Sequence, residues 1–323
     1  MRPVAARVPI RRALARYFEA EGLIPVETPA LQVSGGLELH LAAMPAEVQG
    51  ERRYLHTSPE FAMKRLVARE RRALYQFVPV YRDEPRSATH HPAFEMLEWY
   101  RVGQGIGCLI EDCLQLLRRA RHAAGRPMLA EWGGERCDLA ADPEVISCAQ
   151  AFQRYAGIDL AAVAGDRAAF AAAARERAGI ASDPADAWDD IFFRVLLNRI
   201  EPWLGIGQPT FLTGYPREQA ALARMDPSEP AVAERVELYV CGLELANGFG
   251  ELTDAFEQRQ RFARDRTEKQ RLYGQSYPLP DSMLKALERG MVRTSGMALG
   301  FDRLVMLATG AKRIDEVLWL TME

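Results

Sequence analysis

Arg82 to Tyr100 reads RDEPRSATHHPAFEMLEWY, and this stretch constrains the fold and chemistry of the chain more than any other. An Arg and a Glu two residues apart open it, and a polar loop with two adjacent histidines follows. It closes on a run whose alternate positions are Phe94, Met96, Glu98 and Tyr100. Side chains at spacing two share one face of a strand. One face therefore carries a ring, an acid and a phenol, and Glu95, Leu97 and Trp99 take the other. Two strands around a charged loop, with Arg at its root and an aromatic on its return, suit a nucleotide: the guanidinium for phosphate, the ring for a base. An ordinary hairpin with a salt-bridged turn would show the same alternation, so spacing alone leaves both readings open.

The rest of the chain narrows the class. With 323 residues, 48% of them hydrophobic and 26% charged, it has the length for one large domain or two small ones. A net charge of −3 argues against a dedicated nucleic-acid binder. The five cysteines (Cys108, Cys113, Cys137, Cys148 and Cys241) form no CxxC pair, and their odd number suits reduced thiols. No stretch approaches a membrane span, and the early arginines lack the apolar core of a signal peptide. A soluble cytoplasmic protein is expected.

Val8 to Ala20 has apolar residues at helical spacing, with Gly22 as the stop. GLIPVETPAL reads as a short strand at an edge, because Pro25 cannot donate to a ladder. Tyr54 to Glu60 is a strand entering a Ser-Pro turn, and the helix that follows carries Met63, Leu66 and Val67 inward. LYQFVPVYR is the strand before the opening stretch. From about Gly103 to Pro209 the Ala- and Arg-rich composition and helical periodicity predict a helical insertion. Strand character returns at PTFLTGYP and at Glu234–Leu252, where Cys241-Gly242 predicts a tight hairpin. That turn sets Tyr239 against Glu244 and Glu237 against Ala246, and puts Glu237 and Glu244 on one face. Two such carboxylates repel unless a cation lies between them; two solvent-facing glutamates fit the spacing equally well. Asn247 to Glu251 is expected to break the strand at its two glycines, with Thr253 to Gly274 a long polar helix. GMVRTSGMALGFDRLVMLATG reads as a Gly-rich turn and then a helix with Asp302 and Arg303 in its first turns. Arg at a helix start opposes the dipole, which points to a nearby anion or to a bridge with Asp302.

Together these pieces resemble the catalytic core of class II aminoacyl-tRNA synthetases, the lysyl branch in particular. The first helix with GLIPVETPAL is similar to motif 1, YRDE…HHPAFEMLEWY to motif 2, and GMALGFDRLVML to motif 3; TSPE and ELANGFGEL are similar to the two stretches that line the amino-acid pocket. The resemblance runs from about Val8 to the C-terminus and is loosest in the helical middle. It implies an α+β fold, an antiparallel β-sheet flanked by helices with a helical insertion, in one catalytic domain that binds ATP with Mg²⁺ and pairs as a homodimer through motif 1. It implies that Arg82 holds the α-phosphate and the substrate carboxylate and is the catalytic residue. Asp83, Glu84, His91, Phe94, Glu244, Leu245, Gly300 and Arg303 then line the ATP site, with Phe94 below the adenine and Arg303 above it. Glu237 and Glu244 hold the metal. Ser58, Glu60, Tyr100, Phe249, Glu251 and Ala298 bind the amino acid, Glu251 facing a lysine ε-ammonium.

Lysyl-tRNA synthetases carry an N-terminal anticodon-binding domain, and here motif 1 begins at about residue 8. The wording of the motifs and Ala298, where lysyl-tRNA synthetases usually have Gly, is similar to the elongation factor P–(R)-β-lysine ligase family. That implies activation of lysine or (R)-β-lysine and its transfer to a lysine side chain of elongation factor P, with no tRNA partner. A truncated synthetase charging tRNA or another small amine, and a non-catalytic dimeric regulator, stay open as other readings. The chain departs from the family at the loop: HHPAF stands where the pattern is HNPEF. His91 can replace one hydrogen bond of the amide but not both, and Ala93 removes a carboxylate.

Overall fold

A computed structural model describes residues 2–322. The chain forms two compact units, Met1–Arg126 with Gly250–Glu323, and Pro127–Phe249. Helix α1 (Pro3–Ala20) opens on a proline, which costs nothing where the N–H has no helical partner. It buries Ala6, Ile10, Leu14, Tyr17 and Phe18, the periodic apolar set. Strand β1 (Ile24–Pro25) is an edge strand paired in parallel with β5, which is where a proline is tolerated. Strands β2 (Leu31–Gln32), β3 (Pro45–Val48) and β4 (Glu51–Leu55) form a small antiparallel sheet in the order β2-β4-β3. Helix α2 (Glu60–Glu70) starts behind Pro59 and buries Met63, Lys64 and Val67.

Strands β5 (Leu74–Tyr81) and β6 (Ala93–Val102) make the expected hairpin, from Tyr81 opposite Ala93 to Leu74 opposite Tyr100. Glu95, Leu97 and Trp99 point toward helices. Phe18 packs on Tyr75 at 5.0 Å and on Trp99 at 5.3 Å, and Asp112 of α3 (Gly107–Ala123) accepts from Tyr17 Oη, Trp99 Nε1 and Arg101 Nε at 2.6–2.9 Å. The other face stays clear of this helical layer and carries Phe94, Met96, Glu98 and Tyr100.

The second unit begins with strands β7 (Leu129–Trp132), β8 (Glu135–Asp138) and β9 (Glu144–Ser147). The helical reading of 103–209 therefore needs correction: three four-residue strands interrupt it, too short for their period to register in an Ala- and Arg-rich background. Helices α4 (Cys148–Ala151), α5 (Arg167–Ala178) and α6 (Trp188–Val195) follow, with Phe152, Phe170, Trp188 and Phe192 in one aromatic core. Strands β10 (Thr210–Pro216), β11 (Val232–Val240) and β12 (Leu243–Gly250) complete a run ordered β12-β11-β10-β9, in which only β9 and β10 are parallel.

Cys241 and Gly242 form the tight turn, both with positive φ (+54° and +71°), as a primed hairpin turn requires. Tyr239 faces Glu244 as expected, but Glu237 faces Asn247 and not Ala246. A bulge between Leu238 and Tyr239 shifts the register, an irregularity that period-two reading cannot see. The two glycines do not break β12, which runs on to Gly250.

Back in the first unit, helices α7 (Ala255–Tyr273) and α8 (Asp281–Glu288) precede strand β13 (Thr294–Gly300) and helix α9 (Phe301–Thr309). TSGMALG was expected to be a turn and is a strand, antiparallel to β6, giving this unit the order β1-β5-β6-β13. Strands and helices segregate as in an α+β protein, and the pairing is mainly antiparallel, with β1–β5 and β9–β10 parallel. No helix among the described residues is long and apolar enough to cross a membrane.

Candidate functional site

The first unit builds a carboxylate-rich cluster on the clear face of β6. In register, Tyr100 lies opposite Gly296, Glu98 opposite Ala298 and Met96 opposite Gly300. This row of small residues is what the opposite side chains need. A β-carbon on Gly296 would overlap the Glu251 carboxylate and the Tyr100 ring. Ala298 is half-buried beside Val78, Val80 and Met96.

Glu98 is 2% exposed and accepts from Ser58 Oγ at 2.6 Å and from Tyr100 Oη at 2.8 Å. Burial, reinforced by the Glu60 charge, pushes its carboxyl up to about 8, so it is mostly protonated at neutral pH. Sequence reading placed Glu98 on this face but assigned it no task. Lys64 was missed altogether. Its fully buried ammonium lies 2.6 Å from Glu60 Oε1 and 2.6 Å from Glu251 Oε2. Burial alone would lower Lys64, but the Glu251 and Glu60 charges outweigh it and hold the ammonium above its usual value. Burial raises Glu60, against the pull of Lys64. The four-residue spacing of Glu60 and Lys64 on a helix was the available signal.

Glu98 carries a pH signature. A carboxyl raised in the folded chain makes that state the stronger proton binder between the unfolded value of 4.5 and about 8. Glu98 thus contributes a loss of stability as pH rises through that window, on the order of a few kcal/mol. Glu98→Gln should flatten this part of the pH–stability curve, read by urea denaturation at pH 5, 7 and 9. Parallel curves for the two proteins would contradict the assignment.

Arg82 follows β5 directly. Its guanidinium sits 5.2 Å from the Phe94 ring centroid, and Nε donates to the Thr57 carbonyl at 3.4 Å. Asp83 N–H donates to the Ala42 carbonyl at 2.9 Å and Glu84 N–H to the Arg82 carbonyl at 2.9 Å, which fixes the loop root. Arg303, three residues past Gly300, is not bridged to Asp302. It donates to His90 Nε2 at 2.9 Å and to the Thr89 carbonyl at 3.4 Å. Asp302 instead binds Arg7 and the Glu95 N–H, tying α9 to α1 and β6. Burial and the Arg303 charge lower His90, consistent with a neutral ring that accepts from a guanidinium.

His91, expected on the nucleotide, has both ring nitrogens engaged inside the protein. Nδ1 lies 2.6 Å from the Ala93 carbonyl, and Nε2 accepts from Met322 N–H at 3.3 Å. His90 is the histidine that meets Arg303.

The second unit holds Glu237, Glu244, Leu245 and Phe249. Glu237 is 4% exposed; Arg235 Nη2 donates to Oε1 at 2.5 Å, while Tyr239 Oη at 2.7 Å and Tyr215 Oη both donate to Oε2. Three protein donors occupy most of a carboxylate's acceptor capacity, so Glu237 does not fit as a direct metal ligand in this arrangement. Glu244 lies on the same face and is only partly buried, which suits one carboxylate ligand of a phosphate-borne dication. Leu245 is buried at the bulge. The Phe249 ring packs beside Arg235 at 5.8 Å. Among the described residues no group of three His, Cys, Asp or Glu side chains forms a metal cage.

The family model for class II tRNA synthetases (D, K and N) matches residues 2–323. The chain is 37% identical to "Elongation factor P–(R)-beta-lysine ligase" of Proteus mirabilis (strain HI4320), over 94% of this chain and 90% of the relative. Proteins of the same name from Enterobacter sp. (strain 638) and Sodalis glossinidius (strain morsitans) are 35% and 36% identical, each over 98% of this chain and 94% of the relative.

Proposed function

The chain belongs to the class II tRNA synthetases (D, K and N) and, within them, to the elongation factor P–(R)-β-lysine ligases, and on that premise we propose that it activates a lysine with ATP and passes it to elongation factor P. The observation that carries this reading is the carboxyl-rich character of one face: Glu60, Glu98, Tyr100 and Glu251 lie along the same sheet surface that leads to Arg82 and Phe94. Carboxylates receive the ammonium groups, and the guanidinium receives the carboxylate and phosphate.

In the first step a substrate carboxylate oxygen attacks the α-phosphorus of ATP and pyrophosphate leaves. Arg82 stabilises the charge that builds on the phosphorus oxygens, and positioning supplies the rest. In the second step the ε-amine of an acceptor lysine attacks the mixed anhydride, AMP leaves and an amide forms. Arg303, Glu84, Phe94 and Gly300 take the nucleotide, with Asp83 fixing the root of the loop. His90 holds Arg303 in place, and His91 braces the loop rather than touching ATP. Mg²⁺ would neutralise phosphate charge when bound, and of the second unit's two carboxylates Glu244 rather than Glu237 has the chemistry to ligate it. Ser58 and Ala298 shape the substrate end. The edge strand β1 and helix α1 are the surfaces for a homodimer, and five free thiols fit the cytoplasm.

Pyrophosphate exchange into ATP tests the first step. It should depend on L-lysine or (R)-β-lysine and stay flat with the other amino acids. Flat exchange with every amino acid would refute adenylation by this chain.

A further inference from the structure

The connection from β2 to β3, residues 33–44, has no regular structure and is nonetheless held from three sides. Lys269 of α7 is 1% exposed and spends its ammonium on this loop, donating to the carbonyls of Glu38 at 2.6 Å, Leu39 at 3.2 Å and Leu41. Burying an ammonium is costly unless its protons are used, so three carbonyls on one cation mark a geometry the fold preserves. Thr57 donates twice to the Gly35 carbonyl, from N–H at 2.8 Å and from Oγ1 at 2.9 Å. Tyr277 Oη accepts from Ala43 N–H at 3.1 Å.

What this scaffolding presents is Glu38. Gly36 has φ +149°, and a β-carbon there would overlap Thr57 Oγ1 and lie 2.7 Å from Glu38 Oε2, so the carboxylate is packed against the Gly36 backbone. That Oε2 is buried and accepts no hydrogen bond. Its neighbour Thr57 precedes Ser58, and the Thr57 carbonyl accepts from Arg82 Nε. Asp83 N–H reaches the Ala42 carbonyl of the same loop. Glu38 therefore stands at the Arg82 end of the cluster, whereas Glu251 and Tyr100 stand at the other.

The charges agree with the geometry. Lys64 bridges Glu60 and Glu251, the Glu38 charge acts on the buried Lys269 ammonium, and the carboxyl groups of Glu38, Glu60, Glu98 and Glu251 outnumber these two lysines. The Glu38 charge also raises Glu60, so the two carboxylates sense each other. A carboxyl-rich cluster of this kind favours a ligand that brings ammonium groups.

We infer that Glu38 is a specificity-determining residue of this site, whose carboxylate receives the ammonium next to the reacting carboxyl of a diamino acid. Lys269 is its positioning residue, acting through the loop backbone. The assignment deepens the proposed function and rests on it for the identity of the ligand as an amino acid.

Calorimetric titration of the full chain with L-lysine, (R)-β-lysine and 6-aminohexanoate tests it, the last keeping the carboxyl and distal amine but lacking the second amine. Glu38→Gln should weaken the better-bound lysine roughly 10- to 100-fold, as loss of one charge-assisted contact does, and leave 6-aminohexanoate within about twofold. Glu38→Asp, which keeps the charge, should recover part of the loss. Equal weakening of all three ligands, unchanged lysine binding, or no binding of either lysine to the unaltered chain would overturn the assignment. Selective weakening of a lysine in a chain that shows no lysine-dependent exchange would sustain Glu38 and refute adenylation.

Discussion

Replacing Arg82 with alanine should lower the rate of lysine-dependent pyrophosphate exchange roughly 10²- to 10³-fold, the usual loss when one pre-organised donor to a developing negative charge is removed. The fall should appear in kcat more than in the KM for lysine, because the guanidinium matters most when charge accumulates on phosphorus. Thermal stability should barely move. Arg82 is only partly buried, and it lies over the face of Phe94 at 5.2 Å with a long bond from Nε to the Thr57 carbonyl. Lysine at this position should restore little, since an ammonium cannot present two parallel N–H donors. Exchange at the unaltered rate in Arg82→Ala would remove Arg82 from the reaction.

Lys64→Met should have the largest effect on folding. The side chain is fully buried and its ammonium separates Glu60 from Glu251. Without it, two carboxylates and Glu98 share a dry cluster with no internal cation, which should cost about 3–5 kcal/mol. The sign with pH follows. Unpaired, these carboxyls rise above their unfolded values, the folded state becomes the stronger proton binder, and stability falls as pH increases. The deficit should therefore be large at pH 8 and shrink toward pH 5, measured by urea denaturation of the variant beside the unaltered protein. A deficit that is small at pH 8, or that does not vary with pH, would mean Lys64 is not the counter-ion of this cluster.

Much of the first unit was legible because its signals are local. Phe94, Met96, Glu98 and Tyr100 alternate cleanly, so their shared face followed from period two alone. Cys241-Gly242 was legible as a turn for the same reason. The misreadings share a physical cause, which is tertiary context overriding a local rule. The glycines of TSGMALG normally break strands; here Gly296 is in one because only hydrogen fits under Glu251 and Tyr100. The bulge that puts Asn247 rather than Ala246 opposite Glu237 leaves no trace in composition. The two histidines look equivalent in the sequence, yet His91 turns inward to Ala93 and Met322 while His90 meets Arg303. Lys64 and Lys269 were passed over because lysines on helices usually face solvent; the Glu60–Lys64 spacing signals a pair but not its burial, and nothing local says Lys269 is buried.

The resemblance supplied roles that spacing could not, and geometry redistributes some of them. Glu237 was expected to hold a metal with Glu244, but its carboxylate already serves Arg235, Tyr215 and Tyr239. Glu98 and Lys64, unassigned from sequence, form the centre of the carboxyl cluster with Glu60 and Glu251.

Intact-mass analysis of elongation factor P, incubated with this protein, ATP and either L-lysine or (R)-β-lysine, tests the central claim most directly. The account requires elongation factor P to gain the mass of one lysyl residue with at least one isomer, only when ATP is present, and not with the Arg82→Ala variant. An elongation factor P of unchanged mass under all these conditions, while bulk tRNA becomes charged or no acceptor is labelled, would contradict it.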